Sequence, residues 1–132
     1  MYLLDTNAWI AYLSPGESPV AGKVRLYESE VCLCAVVKAE LQYGAHKGTR
    51  TSGNLRLLST LFSLFPSLPF DDRAAEHYGL LRARVEQLGT PVGPLDLMIA
   101  SIAQAHGAIV VTSDVKEFLM VPGLSIEDWR IG

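Results

Sequence analysis

Short apolar runs and longer stretches of helical period alternate along the chain, the pattern of a parallel sheet covered on both faces. The first run, Tyr2–Asp5, predicts a short buried strand that stops on an acid, a hydroxyl and an amide, Asp5-Thr-Asn7. Ala8–Leu13 predicts a short helix ended by Ser14-Pro-Gly16. Ser18 with Pro19 starts a second helix that runs to about Glu28, proline being at home in the first helical position. Val31–Val36 predicts the second strand and Val37–His46 the helix after it, while Thr51–Phe62 carries Leu55, Leu58, Leu61 and Phe62 at helical spacing.

Pro66–Phe70 predicts a short extended strand, with Pro69 marking an edge or a strand end. Asp71 or Asp72 caps a long helix through Leu88, which Gly89 stops. Gly93-Pro94 opens a helix to about His106, ended by Gly107. Ala108–Thr112, with Ile-Val-Val at its centre, is the most strand-like run of all. A short helix around Val115–Leu119 and a last strand near Leu124–Ile126 complete the set. The expected fold is an α/β three-layer sandwich, a mainly parallel sheet of four or five strands flanked by helices, in one domain over residues 1–132.

Composition narrows the class. An apolar fraction of 49% against 19% charged residues fits a folded, water-soluble chain and not a disordered one. No apolar run approaches the roughly 18–20 residues of a membrane span, and no basic stretch precedes a long apolar one at the N-terminus, so the cytoplasm is the expected location. Cys32 and Cys34 lie two apart, on one face of a strand, and read as small core residues. A zinc site would need further ligands, and a disulfide at that spacing would be strained. The net charge of −3 argues against nucleic-acid binding by the whole surface but leaves room for a local basic path. Lys38, Lys47, Arg50 and Arg82 are the candidates for it, and each also reads as part of a solvated helix face.

Four acids fall at equivalent kinds of place. Asp5 and Asp114 end strands, Glu40 lies near the first turn of the helix after the second strand, and Asp96 lies in the first turn of the helix opened by Pro94. Strand carboxyl ends and the helix starts that follow them share one edge of a parallel sheet. Singly, each acid has a plainer reading: a cap ahead of Ala8 for Asp5, a dipole-matched acid for Asp96, an exposed helix residue for Glu40, a turn or cap for Asp114. Together they would raise one another's pKa unless a cation intervened. Oxygen-only ligands favour magnesium or manganese over zinc. Asp96 is partly eased by the positive end of its own helix, whereas Asp5 and Asp114, on strand ends, are not, which makes those two the stronger candidates for direct ligation. Ala100, Ala103 and Gly107 share the helix stripe of Asp96 and permit a close approach to the sheet.

These residues carry a family likeness. Leu4-Asp-Thr-Asn7, Val37-Lys-Ala-Glu-Leu-Gln-Tyr-Gly-Ala45, Gly93-Pro-Leu-Asp-Leu-Met-Ile-Ala100 and Val111-Thr-Ser-Asp114 resemble the successive motifs of the PIN-domain ribonucleases. More narrowly, Leu68-Pro-Phe-Asp-Asp72 and Pro122-Gly-Leu-Ser-Ile-Glu-Asp-Trp129 are similar to segments of the VapC toxins of prokaryotic toxin–antitoxin pairs. The resemblance runs through essentially the whole chain in order. It implies a PIN-like sandwich and an endoribonuclease dependent on Mg2+ or Mn2+, with tRNA among the candidate substrates. Asp5, Glu40, Asp96 and Asp114 match the acidic positions of the family, Thr6 and Asn7 its first-motif polar positions, and Thr112 or Ser113 the hydroxyls before the last acid. It also implies a homodimer held inactive by a VapB-type antitoxin.

Other functions fit less well. A receiver-like signalling module would want an adjacent acidic pair after the first strand, and a haloacid-type hydrolase an aspartate where Asn7 stands. A pure scaffold has no reason to carry four mutually repelling acids. His46, His77 and His106 fall outside the motifs and read as structural or surface residues. Leu55, Leu58, Leu61, Phe62 and Phe65 form a broad apolar stripe that serves either the core or a surface for self-association or for an antitoxin.

Overall fold

The apolar runs pair as expected and in one direction. A computed structural model describes residues 1–131. Its strands are β1 (Tyr2–Leu4), β2 (Val31–Cys34), β3 (Ser67–Leu68), β4 (Ile109–Val111) and β5 (Ile126–Glu127). They form a five-stranded sheet in the order β3-β2-β1-β4-β5, every pair parallel. Leu3 faces Cys32 on one side and Val110 on the other, which fixes the register at the centre. All four residues of β2 are buried although alternate side chains point to opposite faces, so both faces are covered.

Parallel strands need crossovers, and helices supply them. They are α1 (Thr6–Leu13), α2 (Pro19–Leu26), α3 (Ala35–Lys47), α4 (Thr51–Leu64), α5 (Asp72–Gln87), α6 (Pro94–His106) and α7 (Val115–Phe118). The core joins β1 and β2 to α6 through Leu3, Leu4, Leu33, Ile99 and Ile102, all at 0% exposure. Each such side chain contributes about 1.5–3 kcal/mol by leaving water. Gly107 ends α6 at φ 64°, a left-handed cap that side-chain-bearing residues disfavour.

Several boundaries differ from expectation, each for a local reason. β1 stops at Leu4 and α1 begins at Thr6, ahead of Ala8, because Asp5 is the cap: its Oδ1 accepts the Ala8 N–H at 2.9 Å. β2 ends at Cys34 instead of Val36, since α3 starts at Ala35 and draws Val36 and Val37 into its first turn. α2 stops at Leu26 and a separate 3₁₀ turn covers Glu28–Glu30. α4 continues to Leu64, and β5 sits one to two residues later than expected, where Glu127 pairs with Val111. Of the two candidate caps for α5, Asp71 acts, accepting the Ala74 N–H at 3.0 Å.

The leucine stripe goes to the core: Leu58, Leu61 and Phe65 are buried and Leu55 and Phe62 partly so. Cys32 and Cys34 are free and buried, and burial above all pushes their thiols up to about 12 and about 11, leaving them inert. Among the described residues no helix is long and apolar enough to cross a membrane.

Candidate active site

The direction of travel across the sheet reverses at β1. The chain moves from β1 to β2 and β3 on one side, then jumps back to β4 and β5 on the other. Loops leaving β1 and β4 therefore diverge and open a crevice at their carboxyl ends. Asp5 follows β1 there, its N–H donating to Val111 O at 3.0 Å, and Thr112, Ser113 and Asp114 follow β4.

Two hydroxyls brace the acids. Thr112, 1% exposed, donates its hydroxyl to Asp5 Oδ2 at 2.6 Å and accepts the Asp114 N–H at 2.9 Å. Thr6 donates to Glu40 Oε1 at 2.6 Å, joining the start of α1 to the second turn of α3. Asp5 thus has a donor on each oxygen and still keeps a lone pair on each for a cation. Asp114 caps α7 weakly, taking the Glu117 N–H at 3.4 Å.

The third position of α6 carries Asp96, half-buried, at the mouth of the same crevice. One carboxylate oxygen each from Asp96, Asp114 and Glu117 lie within 4.8 Å of one another. Glu117, on α7, also accepts the Gly93 N–H at 2.8 Å and so ties α7 to the start of α6. Sequence reasoning missed this acid. Its signal was the spacing Asp114-x-x-Glu117 at a helix start, which sets both side chains on one face.

The electrostatics record the crowding. Burial, then the charge and hydrogen bonding of Glu117, then the charges of Asp5 and Glu40, push the Asp96 carboxyl up to about 7. Burial also raises Asp5, although the Thr112 hydroxyl and Ala8 N–H pull it down; Asp114 and Glu40 add to the rise. Five carboxylates that oppose one another's ionisation suit a hard divalent cation, which takes oxygen ligands and removes the repulsion. Asp96, Asp114 and Glu117, with Asp5 beside them, are the residues able to hold it.

The remaining expected site residues have other surroundings. Among the described residues, neither the exposed Asn7 nor Ser113 gives a side-chain hydrogen bond to an acid. Both instead line a small pocket of about 40 Å³ with Thr112, Asp128, Trp129 and Arg130. Lys38 sits over the Phe62 ring at 4.8 Å and Lys47 over Tyr43 at 5.8 Å. Arg82 pairs with Glu86 at 3.0 Å and with the Tyr78 hydroxyl at 3.0 Å, and Arg50 is exposed just ahead of α4. His77 faces Gln104, His106 faces the Ile102 carbonyl, and His46 is exposed in the last turn of α3.

Beside Glu40, a groove of about 370 Å³ runs between α1, α3 and α4. Ile10, Leu13, Leu41, Leu57 and Leu58 line it, and Leu57 is 49% exposed.

Comparison with known proteins identifies the family. Residues 2–123 match the PIN domain family. The chain is 38% identical over 128 residues to the tRNA(fMet)-specific endonuclease VapC of Salmonella typhimurium, covering 97% of each chain. It is 33% identical over 131 residues to ribonuclease VapC2 of Rickettsia felis, covering 98% of each. In the crystal structure of DNA-bound VapBC from Salmonella typhimurium, a chain 38% identical superposes with a TM-score of 0.92 over 97% of both chains. The ordered motifs, the all-parallel sheet and these full-length similarities together show that the chain belongs to the PIN-domain family, as one of its VapC-type members.

Proposed function

We propose that this protein is a metal-dependent endoribonuclease, the toxin of a type II toxin–antitoxin pair, hydrolysing a phosphodiester bond in RNA and so inhibiting translation. The observation that carries the reading is the convergence of Asp5, Asp96, Asp114 and Glu117 at the reversal of the sheet, with Thr112 and Thr6 bracing the acids. Its place of action is the cytoplasm, and tRNA is the first substrate to try, because a relative at 38% identity is named for tRNA(fMet) cleavage.

Mg2+ or Mn2+ bound there supplies Lewis-acid polarisation of the phosphodiester and activation of water. In this reading Asp5 and Asp96 would hold the principal ion, with Asp114 and Glu117 beside them and Glu40 completing the arrangement. Thr112 fixes the Asp5 carboxylate by its 2.6 Å hydrogen bond, and Thr6 does the same for Glu40. No histidine or lysine is needed as a base.

The partners in this reading are a VapB-type antitoxin and a second copy of the chain. The antitoxin is supported by the structural relative, which is a VapBC complex, and by the apolar groove that Glu40 helps to line. The test is cleavage of tRNA by the wild type in Mg2+ or Mn2+, compared with Asp5→Ala and Asp96→Asn. Cleavage should require the ion and disappear in both variants; undiminished cleavage in both overturns the proposal.

A further inference from the structure

An acidic crevice repels the phosphates of the RNA it is to cut, so a cation is needed near its rim. Of the four candidates read from the sequence, Lys38 and Lys47 lie over aromatic rings and Arg82 pairs with Glu86. A fifth cation, Arg130, is fixed at that edge.

Its position is set by an anchored tail. β5 pairs with β4, and the Thr112 N–H donates to Glu127 O at 3.0 Å. Trp129 is 1% exposed and lies against Tyr2 and Tyr27, with ring centroids 5.0 and 5.7 Å away. Its indole N–H donates to Glu127 Oε1 at 3.0 Å. The next side chain is therefore presented from a rigid base.

Asp128, with a side chain only 9% exposed, grips one edge of the Arg130 guanidinium. Nε donates to Oδ1 at 3.1 Å and Nη2 to Oδ2 at 2.8 Å. Nη2 also donates to the Ser113 carbonyl at 3.3 Å, one residue before Asp114. Among the described residues, Nη1 has no hydrogen-bond partner, and the side chain is 60% exposed. Arg130 and Asn7 share a pocket wall with Thr112, the residue that braces Asp5. A planar donor pre-oriented by a covered carboxylate, with N–H groups left over, is suited to a phosphate oxygen.

We propose that Arg130 contacts a backbone phosphate of the substrate RNA beside the acidic crevice, an inference that rests on the ribonuclease reading above. Because Asp128 cancels the charge at a distance, the contact acts by short-range directional bonding more than by long-range attraction.

The test compares wild type, Arg130→Ala and Arg130→Lys in two assays. In the first, RNA affinity is measured in chelator, on an Asp96→Asn background that does not cut. Arg130→Ala should bind about three- to tenfold more weakly, with Arg130→Lys between, since lysine keeps the charge and loses the fork. In the second, tRNA cleavage should show a raised KM with kcat little changed, while Mn2+ affinity and melting temperature stay at wild-type values. Equal RNA affinity in wild type and Arg130→Ala overturns the proposal. So does a loss matched by an equal loss of Mn2+ affinity or of thermal stability, which would make Arg130 a brace. RNA binding through Arg130 without any cleavage by the wild type would overturn the ribonuclease reading alone. Cleavage that is indifferent to Arg130 would overturn the inference alone.

Discussion

Thr112 Oγ1 donates to Asp5 Oδ2 at 2.6 Å, joining residues 107 positions apart in the chain. The same hydroxyl accepts the Asp114 N–H at 2.9 Å, so one buried oxygen aligns two of the acids. Thr112→Val keeps the shape and removes both bonds. It should lower metal affinity or cleavage about 10–100-fold, the usual effect of losing a partner that orients a ligand. Thr112→Ser should retain most of both. Mn2+ titration by calorimetry beside a cleavage assay reads the difference, and a fully active valine variant would deny Thr112 the role.

Asp5 does two jobs, capping α1 through Oδ1 and facing the crevice through Oδ2. Asparagine caps about as well as aspartate, whereas alanine does not. Asp5→Asn should therefore fold with near wild-type stability, and Asp5→Ala should lose about 1 kcal/mol in denaturant unfolding. Both should lose RNA cleavage. Equal destabilisation of the two variants would mean that the charge, and not the cap, supports the fold.

The raised Asp96 carboxyl makes a pH prediction with a definite sign. Its value moves from 3.8 to about 7, through burial first and the neighbouring Glu117 next. The stability linked to this group is fully present below pH 3.8 and is lost as pH rises through about 7. Protein in chelator should accordingly unfold at lower urea as pH rises across that window, and Asp96→Asn should flatten the slope. A bound cation competes with the proton, so metal affinity should increase over the same range. Glu117→Gln keeps an acceptor for the Gly93 N–H and removes a charge, so Asp96 should titrate lower. Carbon-detected NMR of labelled aspartate follows that shift directly; an unmoved Asp96 would contradict the coupling.

Leu57 lies half-exposed in the groove that Glu40 also lines. A charge there should weaken antitoxin binding and leave cleavage by free protein unchanged. Leu57→Lys tested by calorimetry with the antitoxin, and separately on RNA, decides the matter. Parallel loss of cleavage would mean that the groove serves the substrate.

Much of this site was legible because parallel sheets gather strand ends and helix starts on one edge. Asp5, Asp96 and Asp114 could be assigned to that edge from run lengths and breakers alone. That Asp5 itself also caps α1 was not legible, since a carboxylate has two oxygens and the fold uses them separately. Glu117 escaped notice because α7 has only four residues and shows no period. Its meaning comes from the long-range bond to Gly93. For the basic residues, sequence gives the proximity of Lys38, Lys47 and Arg50 but not the aromatic faces on which two of them lie. Arg130 stood outside any cluster, and only the return of β5 to β4 brings it to the crevice.

The central place of β1 has a consequence for biosynthesis. The first strand made is the middle of the sheet, and its second neighbour, β4, begins only at Ile109. A nascent chain that has not yet released that strand has Asp5 without Thr112, Asp114 or Glu117 around it. Synthesis from the N-terminus thus leaves the acidic cluster incomplete until β4 and α7 emerge. On the ribonuclease reading, cleavage has to wait for β4 and α7, and a fragment that stops before Ile109 should be inactive.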